Sequence, residues 1–218
     1  MNNLLFRPMF FSFLLMTSLS HAQKVRKYNL GELFKEGKLI YCPAQHVNVI
    51  DAVNGRGVTA KGIVLLKNVT FSTGSIDVDI RGKDVLQQSF VGIAFHAIDT
   101  ITYEAIYFRP FNFQSTDSLR KKHMVEYISE PEYPWYRLRK EHPLVYENTV
   151  TPSLRPTDWF HIRIVVAENE ITVYVNHSPV ASLKVKKLSN RNNGFVGLWT
   201  DALGLNGDFA NLEITKKQ

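Results

Sequence analysis

The stretch Tyr103 to Phe113, Tyr-Glu-Ala-Ile-Tyr-Phe-Arg-Pro-Phe-Asn-Phe, holds the densest group of chemically capable side chains in the chain. Strand parity sets Tyr103, Tyr107 and Arg109 on one face and Glu104 on the other, with Ile106 and Phe108. A charged Glu inside a strand must be paired or must line a cleft. As a cleft carboxylate, Glu104 is the candidate catalytic residue, with His96, Arg109 or a loop residue within its reach. Aromatic faces beside planar donors and acceptors also have the composition of a sugar site. The rings pack on pyranose C–H surfaces while Arg, Asn and Glu hold the hydroxyls. His96, Tyr103, Tyr107, Arg109 and Asn112 are the binding candidates on that reading. The alternative is a core strand ending in a bulge at Pro110, with Glu104 bonded to Arg109 or another cation.

A second group lies in the segment 115–156, which is rich in Pro, Tyr, Arg and Glu and has one short strand candidate, Met124 to Ile128. A long segment without regular structure is uncommon in a compact domain unless it has a task. Its run Glu130-Pro131-Glu132-Tyr133-Pro134-Trp135-Tyr136-Arg137 offers Tyr133, Trp135 and Arg137 as a binding rim, or else as aromatics packed over a sandwich edge. Seven histidines are scattered without a His-x-x-x-His spacing, so no transition-metal site is expected. Asp201 and Asp208, near glycines, are the positions to consider for structural calcium. No nucleotide or hydrolase fingerprint is present, and no cofactor is expected.

The elements that must position these residues are β-strands. Ile76, Val78 and Ile80 alternate with Asp77, Asp79 and Arg81; Phe160, Ile162 and Ile164 alternate with His161 and Arg163. Short strands without intervening helices predict an antiparallel sandwich or barrel, with one helical turn at Leu30 to Phe34. Residues 1–22 read as a signal peptide: Arg7, a short apolar run from Met9 to Leu19, then Ser20-His21-Ala22. That run is too short for a bilayer span, so a secreted or periplasmic protein is expected, with 23–218 as a single β-sandwich domain carrying an insertion near 115–156. Cys42 is the single cysteine and excludes an intramolecular disulfide. The net charge of +6 and the basic clusters at 119–123, 137–140 and 184–187 suit an anionic polysaccharide, or are solvated edges. Nucleic acid is not expected as a partner.

Three stretches resemble the concanavalin A-like lectin/glucanase superfamily: Thr73 to Arg81; Val91-Gly92-Ile93-Ala94-Phe95 followed by Tyr103-Glu104; and Trp159 through Asn176 to Phe195-Val196-Gly197-Leu198-Trp199 and Phe209 to Ile214. Within it the chain is most similar to exported laminin G-like domains and the 3-keto-disaccharide hydrolase-like group. The resemblance covers most of 71–214 and implies an all-β, two-sheet jelly roll whose concave sheet commonly meets carbohydrate. It departs from the glucanases, whose strand carries Glu, Asp and Glu on one face. Here Asp77-Val78-Asp79-Ile80-Arg81 lacks both outer Glu residues, so that mechanism is not carried over. The expectation is an exported carbohydrate-binding module. The alternatives are a glycoside hydrolase or related sugar hydrolase, with Glu104, Glu126 and Glu147 as the acids to test, and a structural domain for protein contacts.

Overall fold

Period-2 patterning becomes two antiparallel sheets in the computed structural model, which describes residues 24–217 apart from 44, 53 and 54. The expected signal peptide lies outside the described residues. In chain order the strands are β1 (Val25–Tyr28), β2 (Leu39–Ile40), β3 (Val47–Ala52), β4 (Gly55–Ala60), β5 (Ile63–Phe71), β6 (Gly74–Arg81), β7 (Val91–Ala97), β8 (Tyr103–Phe108), β9 (Val125–Glu130), β10 (Glu147–Asn148), β11 (Phe160–Val166), β12 (Glu170–Val175), β13 (Leu183–Lys186), β14 (Gly194–Thr200) and β15 (Gly207–Lys216). Three helices accompany them: α1 (Leu30–Lys35), α2 (Ser118–Lys121) and α3 (Trp135–Glu141). None of the described helices is long and apolar enough to cross a membrane.

One sheet has the order β13-β12-β11-β6-β15-β4-β3, with β1 also on β15; the other runs β10-β9-β8-β7-β14-β5-β2. The result is a two-sheet antiparallel jelly-roll sandwich. The sheets meet through their inward faces: Ile76, Val78, Ile80, Ile162 and Ile164 from the first, and Ile93, Phe95, Ile106 and Phe108 from the second, all fully buried. Phe108 and Phe160 close the gap between sheets edge to face, with ring centroids 5.3 Å apart. Truncating one such ring to Ala costs about 3–5 kcal/mol.

The segment 115–156 carries more regular structure than its single expected strand. It supplies β9 and β10, the edge of the seven-stranded sheet, and both α2 and α3. Asp117 caps α2, its side chain accepting from the Leu119 and Arg120 amides. Leu138, buried, roots α3.

The outer face of the eight-stranded sheet is a ladder of charge. His161 lies opposite Asp79 and Arg163 opposite Asp77 in the β11–β6 register. His161 Nδ1 is 2.8 Å from Asp79 and its Nε2 3.3 Å from Asp77, while Arg163 Nε donates to Asp77 at 2.7 Å. Burial would raise both carboxyls, but hydrogen bonds from His161, joined by Arg163 at Asp77 and by Asn211 at Asp79, outweigh it and hold both below the usual range. Burial likewise opposes charge on His161, yet its bonds to Asp77 and Asp79 lift it to about 9. Arg81, on the same strand face as these acids, pairs with Asp208 at 2.8 Å and covers Trp159. Asp208, considered for calcium, is therefore engaged by a guanidinium.

Because His161 titrates higher folded than unfolded, its stabilisation is complete below about pH 6.5 and is lost as pH rises through about 9; the two aspartates act oppositely, losing theirs as pH falls below about 4. We expect wild type to exceed His161→Gln by roughly 2 kcal/mol near pH 6 and the gap to close by about pH 10 in denaturant unfolding. A gap that does not vary with pH would show that the ladder does not hold the sheet.

Candidate functional site

The outward face of the seven-stranded sheet is hollow. Cross-strand register sets Tyr103, Ala105 and Tyr107 of β8 beside Glu130, Ile128 and Glu126 of β9, with Gly92 and Ala94 of β7 on the other side. Trp199 of β14 pairs with Gly92, which itself pairs with Tyr107. Gly92 thus sits between two large rings from strands on either side of it. A Cβ there would lie 2.0 Å from the Ile106 carbonyl oxygen and 2.8 Å from Tyr107 Cβ. Without one, Tyr107 and Trp199 lean over the gap and stack at 4.6 Å, 29° apart.

Around these rings lies a cavity of about 880 Å³, within the range of roughly 300–1,000 Å³ usual for small-ligand sites. Tyr103, Tyr107 and Trp199 line it, Phe90 and Phe111 flank it, and Trp135 and Arg139 of α3 form one wall. Leu86, Asp201 and Leu203, from the loops after β6 and β14, complete the lining.

Beneath and beside this cavity runs a buried charge network. Tyr107 Oη donates to Glu126 Oε2 at 2.9 Å and accepts from Arg109 Nη2 at 2.6 Å. Arg109 also bonds Glu126 directly and the His123 carbonyl at 3.3 Å. Glu147 receives Arg139 at 2.9 Å, has His123 Nδ1 at 2.5 Å and lies 3.7 Å from Arg109 Nη1. Arg139 stacks on Trp135, its Cζ 5.2 Å from the ring. Burial pushes the Glu126 carboxyl up, against the pull of Arg109 and with the push of Glu147. Burial, then the charge of Glu126, drives the Tyr107 phenol far above its ordinary value, so it works as a neutral donor. Tyr103 is pushed up to about 12, chiefly by burial. Asn112 donates to the His123 carbonyl at 2.9 Å, leaving its own Oδ1 buried without a partner.

Five of the expected binding residues meet here: Tyr103, Tyr107, Arg109, Asn112 and Trp135 all line the cavity. Tyr133 and Arg137 do not. They satisfy one another at the start of α3, with the Arg137 guanidinium over the Tyr133 ring and bonded to Glu141 and the Glu132 carbonyl. Glu104 is not a cleft carboxylate. It faces the core, fully buried, receiving the Tyr127 hydroxyl, with His96 Nδ1 at 2.8 Å and Lys187 Nζ at 3.9 Å. His96 follows it inward. The register of β7 with β14 shifts between Phe195 and Gly197, and His96 adopts φ 48°. That bulge turns the ring onto Phe71, with Nε2 2.7 Å from the Ser72 carbonyl. The carbonyl only accepts, so Nε2 carries a proton. Burial, with repulsion from Arg191, lowers the Lys187 pKa, and Glu104 counters it.

The sequence reading missed Arg120, His123, Glu130 and Arg139 as lining residues. Parity in β9 was the available signal, since Glu126, Ile128 and Glu130 alternate with buried Val125, Tyr127 and Ser129.

A scan against protein families gives no match, and neither does a comparison with curated proteins. Solved structures do match the fold. A protein of unknown function with a galectin-like fold from Bacillus subtilis superposes with TM-score 0.55 at 8% identity, covering 88% of this chain and 94% of its own. Carbohydrate binding module CBM66 from Bacillus subtilis gives 0.51 at 13% identity, covering 78% and 94%. The metal-free exoplasmic/lumenal domain of VIP36 gives 0.50 at 9% identity, covering 81% and 86%. At these identities the likeness is one of fold.

The core placement of Glu104 is testable. Glu104→Ala should cost roughly 3–5 kcal/mol, because it leaves His96 and Lys187 buried without their carboxylate. Glu104→Gln, which keeps an acceptor, should cost less. Thermal melts in which Glu104→Ala matches wild type would place this residue in solvent.

Proposed function

We propose that this protein is an exported carbohydrate-binding β-sandwich that holds its glycan in the cavity on the outer face of the seven-stranded sheet. One observation carries the reading: Tyr103, Tyr107, Trp135 and Trp199 line a cavity whose polar groups are fixed by buried bonds. Aromatic faces cover the apolar faces of a pyranose, and preset donors and acceptors choose among its hydroxyls. The fold likeness to a carbohydrate binding module supports it, as does the signal-like sequence at 1–22 for export to a secreted or periplasmic setting. The closer affinity with laminin G-like and 3-keto-disaccharide hydrolase-like domains belongs to the same reading, as does the single domain over 23–218. Anionic polysaccharide is a ligand class consistent with the basic side chains of α2 and α3.

A hydrolase acting through Glu104 is disfavoured by the burial of that residue. Glu126 and Glu147, the other acids considered, are each held by arginines. Sugar release from an oligosaccharide panel would restore the enzymatic reading.

Trp135 gives the cleanest test, because it lines the cavity while remaining 47% exposed, and Tyr136 beside it is 64% exposed and outside the lining. On a glycan array followed by calorimetry, Trp135→Ala should weaken binding by about tenfold or more while costing no more than about 1 kcal/mol of stability, the worth of an exposed cation–π contact. Tyr136→Ala should bind as wild type does. Equal affinities for all three proteins, or no sugar bound by wild type, would contradict the proposal.

A further inference from the structure

The charges around the cavity are sorted along its length. In its middle, Arg109 and Arg139 are answered by Glu126 and Glu147. Two charged groups of the lining stand outside any close side-chain ion pair among the described residues, at opposite ends of β9. Arg120, in the α2 segment that leads into β9, lines the cavity and makes no side-chain ion pair within 4 Å among the described residues; Asp117, the acid that feels its charge, spends its carboxylate on the Leu119 and Arg120 amides. Near it stand His123 and the unpartnered Oδ1 of Asn112, with Lys121 and Lys122 extending the positive charge. At the far end of the strand is Glu130, paired across the sheet with Tyr103. Its carboxylate has neither hydrogen bond nor ion pair among the described residues, and burial alone raises its pKa. Six residues of strand separate the two ends by roughly 17 Å. Asp201, the remaining acid of the lining, spends Oδ1 on the Leu203 amide.

Each unanswered group specifies part of a ligand. A guanidinium fork fits an oxyanion with two parallel bonds, as in a carboxylate or sulfate. A half-buried carboxylate without donors is satisfied by hydroxyl groups, and Tyr103 beside it, kept neutral, adds a donor of its own. An anion brought against Glu130 meets like charge in a poorly solvated place, and a fully neutral ligand leaves Arg120 unmatched.

We propose that the cavity selects oligosaccharides of mixed character, with an acidic unit toward Arg120 and a neutral, hydroxyl-rich unit toward Glu130. This rests on the carbohydrate reading above. Glycans that alternate acidic and neutral sugars fit it; chains acidic at every unit and wholly neutral chains do not.

Calorimetry on the purified protein with size-matched oligosaccharides tests this. The sets are neutral, alternating uronate–neutral, alternating sulfated–neutral, and uronate throughout. At least one alternating set should bind about tenfold tighter than the neutral set and tighter than the all-uronate set. The two alternating arms identify the oxyanion. Arg120→Gln should bring the affinities for the alternating and neutral sets to within about threefold of each other. Glu130→Gln should shrink the penalty on the all-uronate set. Unchanged melting temperatures for both variants would confirm that the fold is intact. Neutral and alternating sets bound equally by wild type, or a preference that survives Arg120→Gln, would overturn this inference and leave sugar binding in place. Binding of none of the four sets would overturn both.

Discussion

The cavity depends on one buried cluster, in which Arg109 and Arg139 share Glu126 and Glu147 under the hydroxyl of Tyr107. Taking the charges of Arg109, Glu126 and Glu147 out of water is costly, and such a cluster stands only where each charge is met by another, here with the partly exposed Arg139 at its rim, and by further hydrogen bonds. Here Arg109 bonds a phenol, a carboxylate and a carbonyl at once. Three of the charges belong to the sheet or its immediate ends. The fourth, Arg139, comes from α3, so satisfying the cluster also fixes where that helix lies. Trp135, one turn earlier, is thereby held over the cavity with its ring under the Arg139 guanidinium. The wall of the site is a consequence of charge neutralisation on the floor.

The two outer faces of the sandwich use charge differently. On the eight-stranded sheet, His161 and Arg163 tie β11 to β6 through Asp77 and Asp79, filling the face with matched pairs between neighbouring strands. On the seven-stranded sheet the small residues Gly92 and Ala94 leave a trough, into which Tyr107 and Trp199 fold. Small residues in one strand and large rings in its neighbours make a concavity that uniform side chains would fill.

Strand positions were legible because alternation is a local property: Ile76, Val78 and Ile80, or Phe160, Ile162 and Ile164, announce a buried face without knowledge of their partners. Parity also separated Glu104 from Tyr103 and Tyr107 correctly. What it lacked was which of the two faces is interior, and that is set by which sheet packs where. His96 shows a second limit, since a bulge in β7 against β14 reverses the side on which alternation places it. Tyr133 and Arg137 were drawn to the site by composition but satisfy one another locally. Glu130 was open to the same parity argument in β9, whereas Arg139 and Arg120 were invisible because α3 and α2 bring them to the cavity through tertiary packing.

The tryptophans offer the most direct measurement of the central claim that glycan occupies the outer face of the seven-stranded sheet. The chain has three: Trp135 and Trp199 line the cavity, while Trp159 lies under Arg81 on the other sheet. Fluorescence titration with a glycan found by array should give the full wild-type change in Trp159→Phe. The change should be largely lost when Trp135 and Trp199 are both replaced by Phe. A signal that disappears with Trp159 and persists without the other two would place the ligand elsewhere and contradict the account.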